Sequence, residues 1–113
     1  MEFKYYTLKE YEQEEFYKTP KVLFELEQYK GLGLAEKLLY GIMLDRQELA
    51  VKDKQVDADG NVYFLYRVDE LSKICNVLPE TIARYRKKLV KFGLLREVKQ
   101  GVGKPNRNYL ARL

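Results

Sequence analysis

The stretch of sequence that decides the fold is residues 68–93, VDELSKICNVLPETIARYRKKLVKFG. Its first third has apolar residues at helical spacing on one face, namely Val68, Leu71, Ile74 and Cys75. Residues 76–78 form a short connection, and Pro79 suits the first position of a second helix, where its missing amide costs no hydrogen bond. Gly93 ends this helix at about Lys91, because glycine adopts the left-handed cap conformation. The stretch predicts two helices joined by a tight turn.

The flanking segments predict one further helix and a small sheet. In chain order they are a helix over about 34–50, a turn at 57–61, a strand at 62–66, and then, after the two helices, a strand at 94–98, a flexible turn at 100–106 and a return strand at 107–113. This order is that of a winged helix-turn-helix, with three core helices and a β-hairpin wing. The predicted fold class is α+β.

Helical spacing also predicts which side chains form the core. On the helix at 34–50 the apolar positions are Ala35, Leu38, Leu39, Ile42, Met43 and Leu49. On the helix that begins at Pro79 and just before it, we expect Val77, Ile82, Tyr85, Leu89 and Phe92 to face inward. Gly41 within a helix costs about 1 kcal/mol relative to alanine, which close packing against another element would explain.

Residues 1–19 differ in composition from the rest of the chain. They mix aromatic side chains with five glutamates and show no dominant period. We interpret them as an N-terminal arm, in part helical, that docks on the body or on another copy of the chain. The domain proper is then residues 20–113, and the exposed aromatic residues favour self-association as a homodimer.

Positive charge is concentrated in the last quarter of the chain. Residues 1–83 carry 11 basic and 16 acidic side chains, whereas residues 84–113 carry 10 basic and 1 acidic, Glu97. A mildly acidic body with a strongly basic end is typical of a protein that binds a polyanion. The alternative is a solvated, lysine-rich surface, but a random distribution of charges would rarely leave a single acid in this segment.

The second helix of a helix-turn-helix lies in the major groove, so its exposed face predicts the DNA contacts. The candidates for base contacts are Glu80, Thr81, Arg84 and Lys88. Arg84 can offer a bidentate fork to guanine, and Thr81 a methyl or hydroxyl group. The candidates for phosphate contacts are Arg86, Lys87 and Lys91. In the wing, flexible backbone and positive charge indicate Gln100, Gly101, Gly103, Lys104, Asn106 and Arg107.

Several other classes of protein lack support in the sequence. The chain has one cysteine, Cys75, and no histidine, so one chain cannot form a disulfide or a Cys/His zinc site. The acidic turn at 57–61 fails the spacing of a calcium loop, and Gly103-Lys104 fails that of a phosphate-binding loop. We therefore expect no metal, no cofactor and no enzymatic activity. No apolar run approaches the roughly 18 residues of a membrane span, so we expect a cytoplasmic protein without membrane contact.

The stretch from Phe16 to Tyr109 resembles the N-terminal domain of the plasmid replication initiator protein A (RepA) family of Gram-positive bacteria. The motifs that carry the resemblance are Phe16-Tyr17-Lys18-Thr19-Pro20-Lys21, Tyr29-Lys30-Gly31-Leu32, Lys37-Leu38-Leu39-Tyr40-Gly41, Leu44-Asp45-Arg46, Asp59-Gly60-Asn61-Val62-Tyr63, Leu89, Gly93-Leu94-Leu95 and Gln100-Gly101-Val102-Gly103-Lys104-Pro105-Asn106.

This resemblance implies a winged helix domain that binds direct repeats of double-stranded DNA in a plasmid origin, commonly as a dimer. It also implies a further C-terminal domain, absent from this chain, that recruits host replication proteins. The positions matching the family's recognition helix and wing are Thr81, Arg84, Lys88, Lys104 and Arg107. The helices of the family commonly begin at Ser or Thr, whereas here Gly33, Arg67 and Leu78 stand at these positions. Leu78 lacks a hydroxyl that could contact a phosphate.

Two other functions are compatible with the same residues. A transcriptional regulator of a plasmid or mobile element would need the same groove and phosphate contacts. A protein-interaction winged helix would use the basic end to bind an acidic partner instead of DNA, which salt-dependent, sequence-selective binding to duplex DNA would exclude.

Overall fold

The computed structural model describes residues 2–113. Its helices are α1 (Leu8–Gln13), α2 (Val22–Glu25), a 3-10 turn (Glu27–Tyr29), α3 (Leu34–Lys52), α4 (Val68–Cys75) and α5 (Pro79–Lys91), and its strands are β1 (Phe64–Leu65), β2 (Leu95–Val98) and β3 (Arg107–Leu110). The predicted order of elements is confirmed, including both helices of the helix-turn-helix. The strand predicted at 62–66 is shorter, because Val62 only forms an isolated bridge with Val56.

The three strands form one antiparallel sheet in which β3 lies between β1 and β2. Phe64 of β1 pairs with Asn108, and Glu97 of β2 pairs with the same residue from the other side. The β2–β3 hairpin is the predicted wing. Since β3 is the central strand, its residues contact both the wing and the body of the domain.

The core lies between α3, α4, α5 and the sheet. Its fully buried side chains include Leu39, Tyr40, Met43, Phe64, Leu71, Ile82, Leu89 and Leu94. On α5 and beside its two ends the predicted inward face is confirmed, with Ile82 and Leu89 buried and Val77, Tyr85 and Phe92 packed against the core. On α3 the prediction is wrong for Leu38 and Leu49, which are 56% and 50% exposed. Tyr40 is buried instead, because its ring fills the core while its hydroxyl reaches the carbonyl of Ala111 at 3.4 Å.

Glutamates at the third helical position replace the hydroxyl caps that α3 and α4 lack. The amide of Gly33 donates to Glu36 at 3.4 Å, and the amide of Arg67 donates to Glu70 at 3.3 Å. Each bond satisfies one of the free amides at a helix start. At the other end of α4, Asn76 adopts the left-handed conformation with φ of 57° and closes the turn that leads to α5.

Gly41 is buried in α3 because the chain before α2 crosses it. A Cβ atom at this position would lie 2.7 Å from the carbonyl oxygen of Lys18 and 2.8 Å from Oγ1 of Thr19. Thr19 is held there by a hydrogen bond of 3.2 Å from its hydroxyl to the carbonyl of Lys37. The close packing expected for Gly41 is confirmed, and it ties residues 18–19 to the body.

We expect Gly41→Ala to destabilise the domain by about 1 kcal/mol, since the clash with backbone outweighs the gain in helix propensity. Urea unfolding followed by circular dichroism measures this change. Ala35→Gly, elsewhere on the same helix, shows the size of the propensity effect without the clash. Equal or greater stability for Gly41→Ala would contradict the packing described for residues 18–19.

The N-terminal arm contains a helix, as predicted, but α1 buries none of its residues. Thr7 caps the helix by accepting from the amide of Glu10 at 3.2 Å. Three aromatic pairs form within the arm, namely Phe3–Tyr5, Tyr6–Tyr11 and Tyr11–Phe16. Because these rings are 45–85% exposed, the arm has an apolar surface that the body does not cover. The boundary between arm and domain near residue 19 stays a prediction.

Candidate nucleic-acid interface

The exposed face of α5 carries Arg84, with Thr81 one turn before it. Arg84 is exposed and Thr81 is half-buried, while Glu80 is exposed in the first turn of the helix. No ion pair among residues 2–113 involves Arg84, whose guanidinium lies 5.5 Å from the ring centre of its neighbour Tyr85. A free guanidinium on an exposed helix face can offer its two nitrogens to a guanine edge. Contact of Glu80, Thr81 and Arg84 with base edges stays a prediction.

Lys87 and Lys91 are exposed on the same helix, and neither is paired with an acid in the described part of the chain. Lys91 lies in the last turn, where a positive charge also complements the helix dipole. Both ammonium groups can therefore contact phosphate without first breaking an ion pair, and that contact stays a prediction.

Lys88 is in a different position from the one expected. Its ammonium pairs with Glu36 of α3 at 3.1 Å, and the Glu36 side chain is only 8% exposed. Burial alone would raise the pKa of the Glu36 carboxyl, but hydrogen bonds from Lys88 and from the amides of Glu36 and Gly33 outweigh it and hold the pKa below its usual value. A base contact by Lys88 would have to break this pair, so Lys88 joins α5 to α3 in this structure.

The expectation that Arg86 contacts phosphate is wrong. Its side chain is 6% exposed and pairs with Glu97 of β2. Its Nη2 also donates to Oδ1 of Asn108 at 3.2 Å, and burial lowers the pKa of its guanidinium. The charge of Arg86 suggested a surface position, but its spacing from Ile82 and Leu89 places it on the buried stripe of α5. That spacing, together with the lone acid Glu97, is the signal that could have identified it.

The wing turn is bent by glycines and leaves Lys104 exposed at its tip. Gly101 and Gly103 have φ of 136° and 76°, which a side chain would strain. The amide of Lys104 donates to the carbonyl of Gly101 at 3.3 Å and closes the turn. Val102 at the tip is fully exposed. The tip of the wing therefore exposes its backbone and the ammonium group of Lys104, and their contact with DNA stays a prediction.

The remaining predicted wing residues mainly hold the hairpin in shape. Gln100 donates to the carbonyl of Pro105 at 2.9 Å and accepts from Nε of Arg107 at 3.0 Å. The Arg107 guanidinium packs 4.4 Å from the centre of the Tyr63 ring. The carbonyl of Asn106 accepts from the side chain of Asn108 at 3.2 Å. Arg107 is thus oriented by two neighbours, while Gln100 and Asn106 direct their bonds inside the wing.

Two contacts from the body to the wing were not predicted from the sequence. Nη2 of Arg67, before α4, donates to the carbonyl of Gly103 at 3.1 Å. The hydroxyl of Tyr109 donates to Asp57 at 2.8 Å. Hydrogen bonds from the amide of Asn61 and from Tyr109 hold the pKa of the Asp57 carboxyl below its usual value. Both contacts join residues far apart in sequence, and no local pattern in the chain indicates them.

The exposed face of α5 and the wing tip thus each present basic side chains on a winged helix. The family model for the N-terminus of replication initiator protein A (RepA) matches residues 15–113. The chain belongs to the RepA N-terminal family. None of the helices formed by residues 2–113 is long and apolar enough to cross a membrane, and these residues contain no cluster of acidic or cysteine side chains suited to hold a metal ion.

Other proteins similar to this RepA domain include a 41 kDa protein of Lactobacillus helveticus. It is 32% identical over 99 residues, which cover 87% of this chain and 28% of that protein. The chain thus spans little more than a quarter of the length of this curated relative.

Two solved structures match with a TM-score of 0.80 and 40% identity. One is described as the N-terminal domain of a DNA-binding protein, with coverage of 98% of this chain and 85% of that chain. The other is described as a Rep–DNA complex, with coverage of 96% and 84%. A third, described as an MDR initiator, has a TM-score of 0.76 and 34% identity, with coverage of 96% and 86%.

Proposed function

We propose that this chain is the DNA-binding domain of a plasmid replication initiator and that it binds repeated sites in double-stranded origin DNA in the cytoplasm. In this proposal the chain binds DNA and catalyses no reaction. The observation that carries it is the basic surface formed by α5 and the wing, in a chain 40% identical to a protein whose structure is described as a Rep–DNA complex. Membership of the RepA family supports replication initiation over transcriptional regulation.

In this proposal the two halves of the surface have different roles. The N-terminal half of α5 lies in the major groove, where Arg84 and Thr81 contact base edges. Glu80 interacts with the positive N-terminal end of the helix dipole and does not contact a base. Lys87 and Lys91 contact phosphates, which fix the position of the domain without specifying sequence. Lys104 and the glycine-bent backbone of the wing contact the DNA backbone beside the groove.

Selection of binding sites from a random duplex library tests the proposal, because the library does not depend on the sequence of the origin. We expect successive rounds to converge on one sequence that also occurs as repeats in the origin of the plasmid encoding the protein. Binding to DNA with no sequence enriched over the input library would contradict it. Binding to an acidic protein, with no retention of duplex DNA, would favour the protein-interaction alternative.

We expect Lys104→Ala to weaken binding to all duplex sequences alike and to reduce the slope of log affinity against log salt by about 1, since one phosphate contact is lost. Fluorescence anisotropy titrations at several salt concentrations measure both quantities. Lys52→Ala, the same charge change at the exposed end of α3, is the control and should leave the slope unchanged. A loss restricted to the preferred sequence would mean that the wing contacts bases.

We also propose that the N-terminal arm joins two copies of the chain. The arm leaves the body at Tyr17, which lines an apolar cavity of about 300 Å³ between α3, α4 and α5. Burial of its exposed aromatic rings against a second copy would remove a large apolar area from water. The contact with host replication proteins that the family resemblance implies stays a prediction for a domain outside this chain.

Deletion of residues 1–15 is expected to halve the mass measured by sedimentation, because four exposed aromatic rings of the arm are lost while Gly41 keeps its contact with residues 18–19. The truncated chain should still unfold cooperatively, since α1 contributes no buried residue to the body. If the full chain and the truncated chain sediment with the same number of copies, the arm has no role in self-association.

A further inference from the structure

Glu97 is the only acid among the last 30 residues, and the proposed DNA surface does not use it. It lies on β2, and its carboxylate pairs with Arg86 of α5 beneath that surface. An acid in a segment that binds a polyanion opposes binding unless another charge compensates it. Arg86 supplies that charge, so the pair adds no net charge to the basic surface.

Asn108 extends this pair into a network that reaches the whole sheet. Its side chain is fully buried in the central strand β3. Oδ1 accepts from Arg86, while Nδ2 donates to the carbonyl of Phe64 at 3.3 Å and to that of Asn106 at 3.2 Å. One buried amide therefore links α5, the strand β1 and the base of the wing. We call Arg86, Glu97 and Asn108 the buried polar network.

Stability alone does not account for this network. Removing two charges from water is costly, and well-packed apolar residues in place of a buried ion pair are often as stable or more so. Nε of Arg86 is also buried without a hydrogen-bond partner among the described residues. The network adds geometric specificity to the packing of α5 on the hairpin. Apolar contacts tolerate small shifts between two elements, whereas a guanidinium bound by a carboxylate and an amide fixes their distance and angle.

The network also has a particular place in the fold. Among residues 2–113, Arg86 is the only residue of α5 whose side chain forms a hydrogen bond or an ion pair with the β2–β3 hairpin. The two elements joined by it are the two that contact DNA in the proposed function. Both must fit one duplex at the same time, and binding groups must be held within about 0.5 Å of their productive geometry.

We infer that Arg86, Glu97 and Asn108 are positioning residues, which set the placement of α5 relative to the wing and thereby determine which DNA sequence the domain prefers, without touching DNA. This inference rests on the proposed function. It concerns the specificity of binding, whereas the exposed lysines supply affinity for any sequence.

The double variant R86M/E97Q tests the inference. It removes both charges at once, so the net charge of +4 is unchanged and no unpaired charge stays buried. The matched control is E27Q/K30M, which removes both charges of an exposed ion pair whose side chains are 84% and 70% exposed. Affinity is measured for the preferred duplex and for a scrambled duplex at two salt concentrations.

We expect the ratio of these affinities to fall about tenfold or more in R86M/E97Q, comparable to the loss of one base contact. Affinity for scrambled DNA and the salt slope should change by less than about twofold, since the net charge is kept. The control should keep the wild-type ratio. Leu23→Ala, a core truncation on α2, should lower the melting temperature but also keep the ratio, which separates positioning from stability.

An unchanged affinity ratio in the folded double variant would overturn the inference and leave the proposed function standing. If R86M/E97Q does not fold, Arg86→Lys decides in its place, because it keeps the charge but loses the fork that bridges Glu97 and Asn108. The ratio should then fall, and an unchanged ratio overturns the inference. A wild-type chain with no sequence preference would overturn the proposed function and this inference together.

Discussion

Glu97→Ala is expected to destabilise the domain by about 3 kcal/mol, because it leaves the Arg86 guanidinium buried without its carboxylate. Removing one partner of a buried ion pair typically costs about 3–5 kcal/mol. The lower end of this range applies because the Glu97 side chain is 25% exposed, whereas that of Arg86 is 6% exposed. A domain of this size has a free energy of unfolding of about 5–15 kcal/mol, so the loss is a substantial part of the total.

Urea unfolding at neutral pH measures this effect. Glu27→Ala is the control, because Glu27 also pairs with a cation but its side chain is 84% exposed. We expect less than about 1 kcal/mol there, as for exposed ion pairs in general. A Glu97→Ala variant as stable as Glu27→Ala would mean that Arg86 turns outward to solvent, and the account of a buried polar network would then be wrong.

Arg84→Ala is expected to reduce discrimination between the preferred duplex and single-base variants of it by about 1–3 kcal/mol at one base pair. The physical reason is that Arg84 is exposed and unpaired among the described residues, so its fork is available to a guanine edge. Titrations against a set of duplexes, each with one substituted base pair, locate the position at which preference is lost.

Two further variants show whether Arg84 contacts a base or a phosphate. Arg84→Lys keeps the charge but cannot form the bidentate contact, so it should also lose discrimination while keeping the salt slope. Lys87→Ala, on the same helix, should weaken binding to every duplex by a similar factor. Full discrimination retained by Arg84→Ala would exclude Arg84 from base contacts.

Local patterns in the sequence are sufficient to predict the helix-turn-helix. Pro79 and Gly93 mark the start and end of α5, and helical spacing places Ile82 and Leu89 in the core. These signals act over a few residues, and the structure confirms them. The same reasoning is wrong for Leu38 and Leu49 on α3, because all sides of that helix carry apolar residues and only the packing of α2, α5 and the sheet selects the buried face.

The candidate site is predicted less completely, because charge type does not determine burial. From its charge, Arg86 is expected on the surface with its lysine neighbours, but it is buried and pairs with Glu97 on the next strand. Charge also favours base contacts for Lys88, whereas Glu36 at the start of α3 holds its ammonium. The bond from Arg67 to the wing joins residues 36 positions apart. Such pairings depend on how elements meet in space, and no spacing within one element predicts them.

In the proposed function, this domain recognises repeated origin sites through α5 and the wing. The most direct test is to titrate the domain into labelled duplex carrying the origin repeats and into scrambled duplex of equal length, each at two salt concentrations. We expect an affinity for the repeats at least about 10³-fold higher than for scrambled DNA, with a preference that persists at the higher salt. Equal affinities for the two duplexes, both lost at the higher salt, would contradict it.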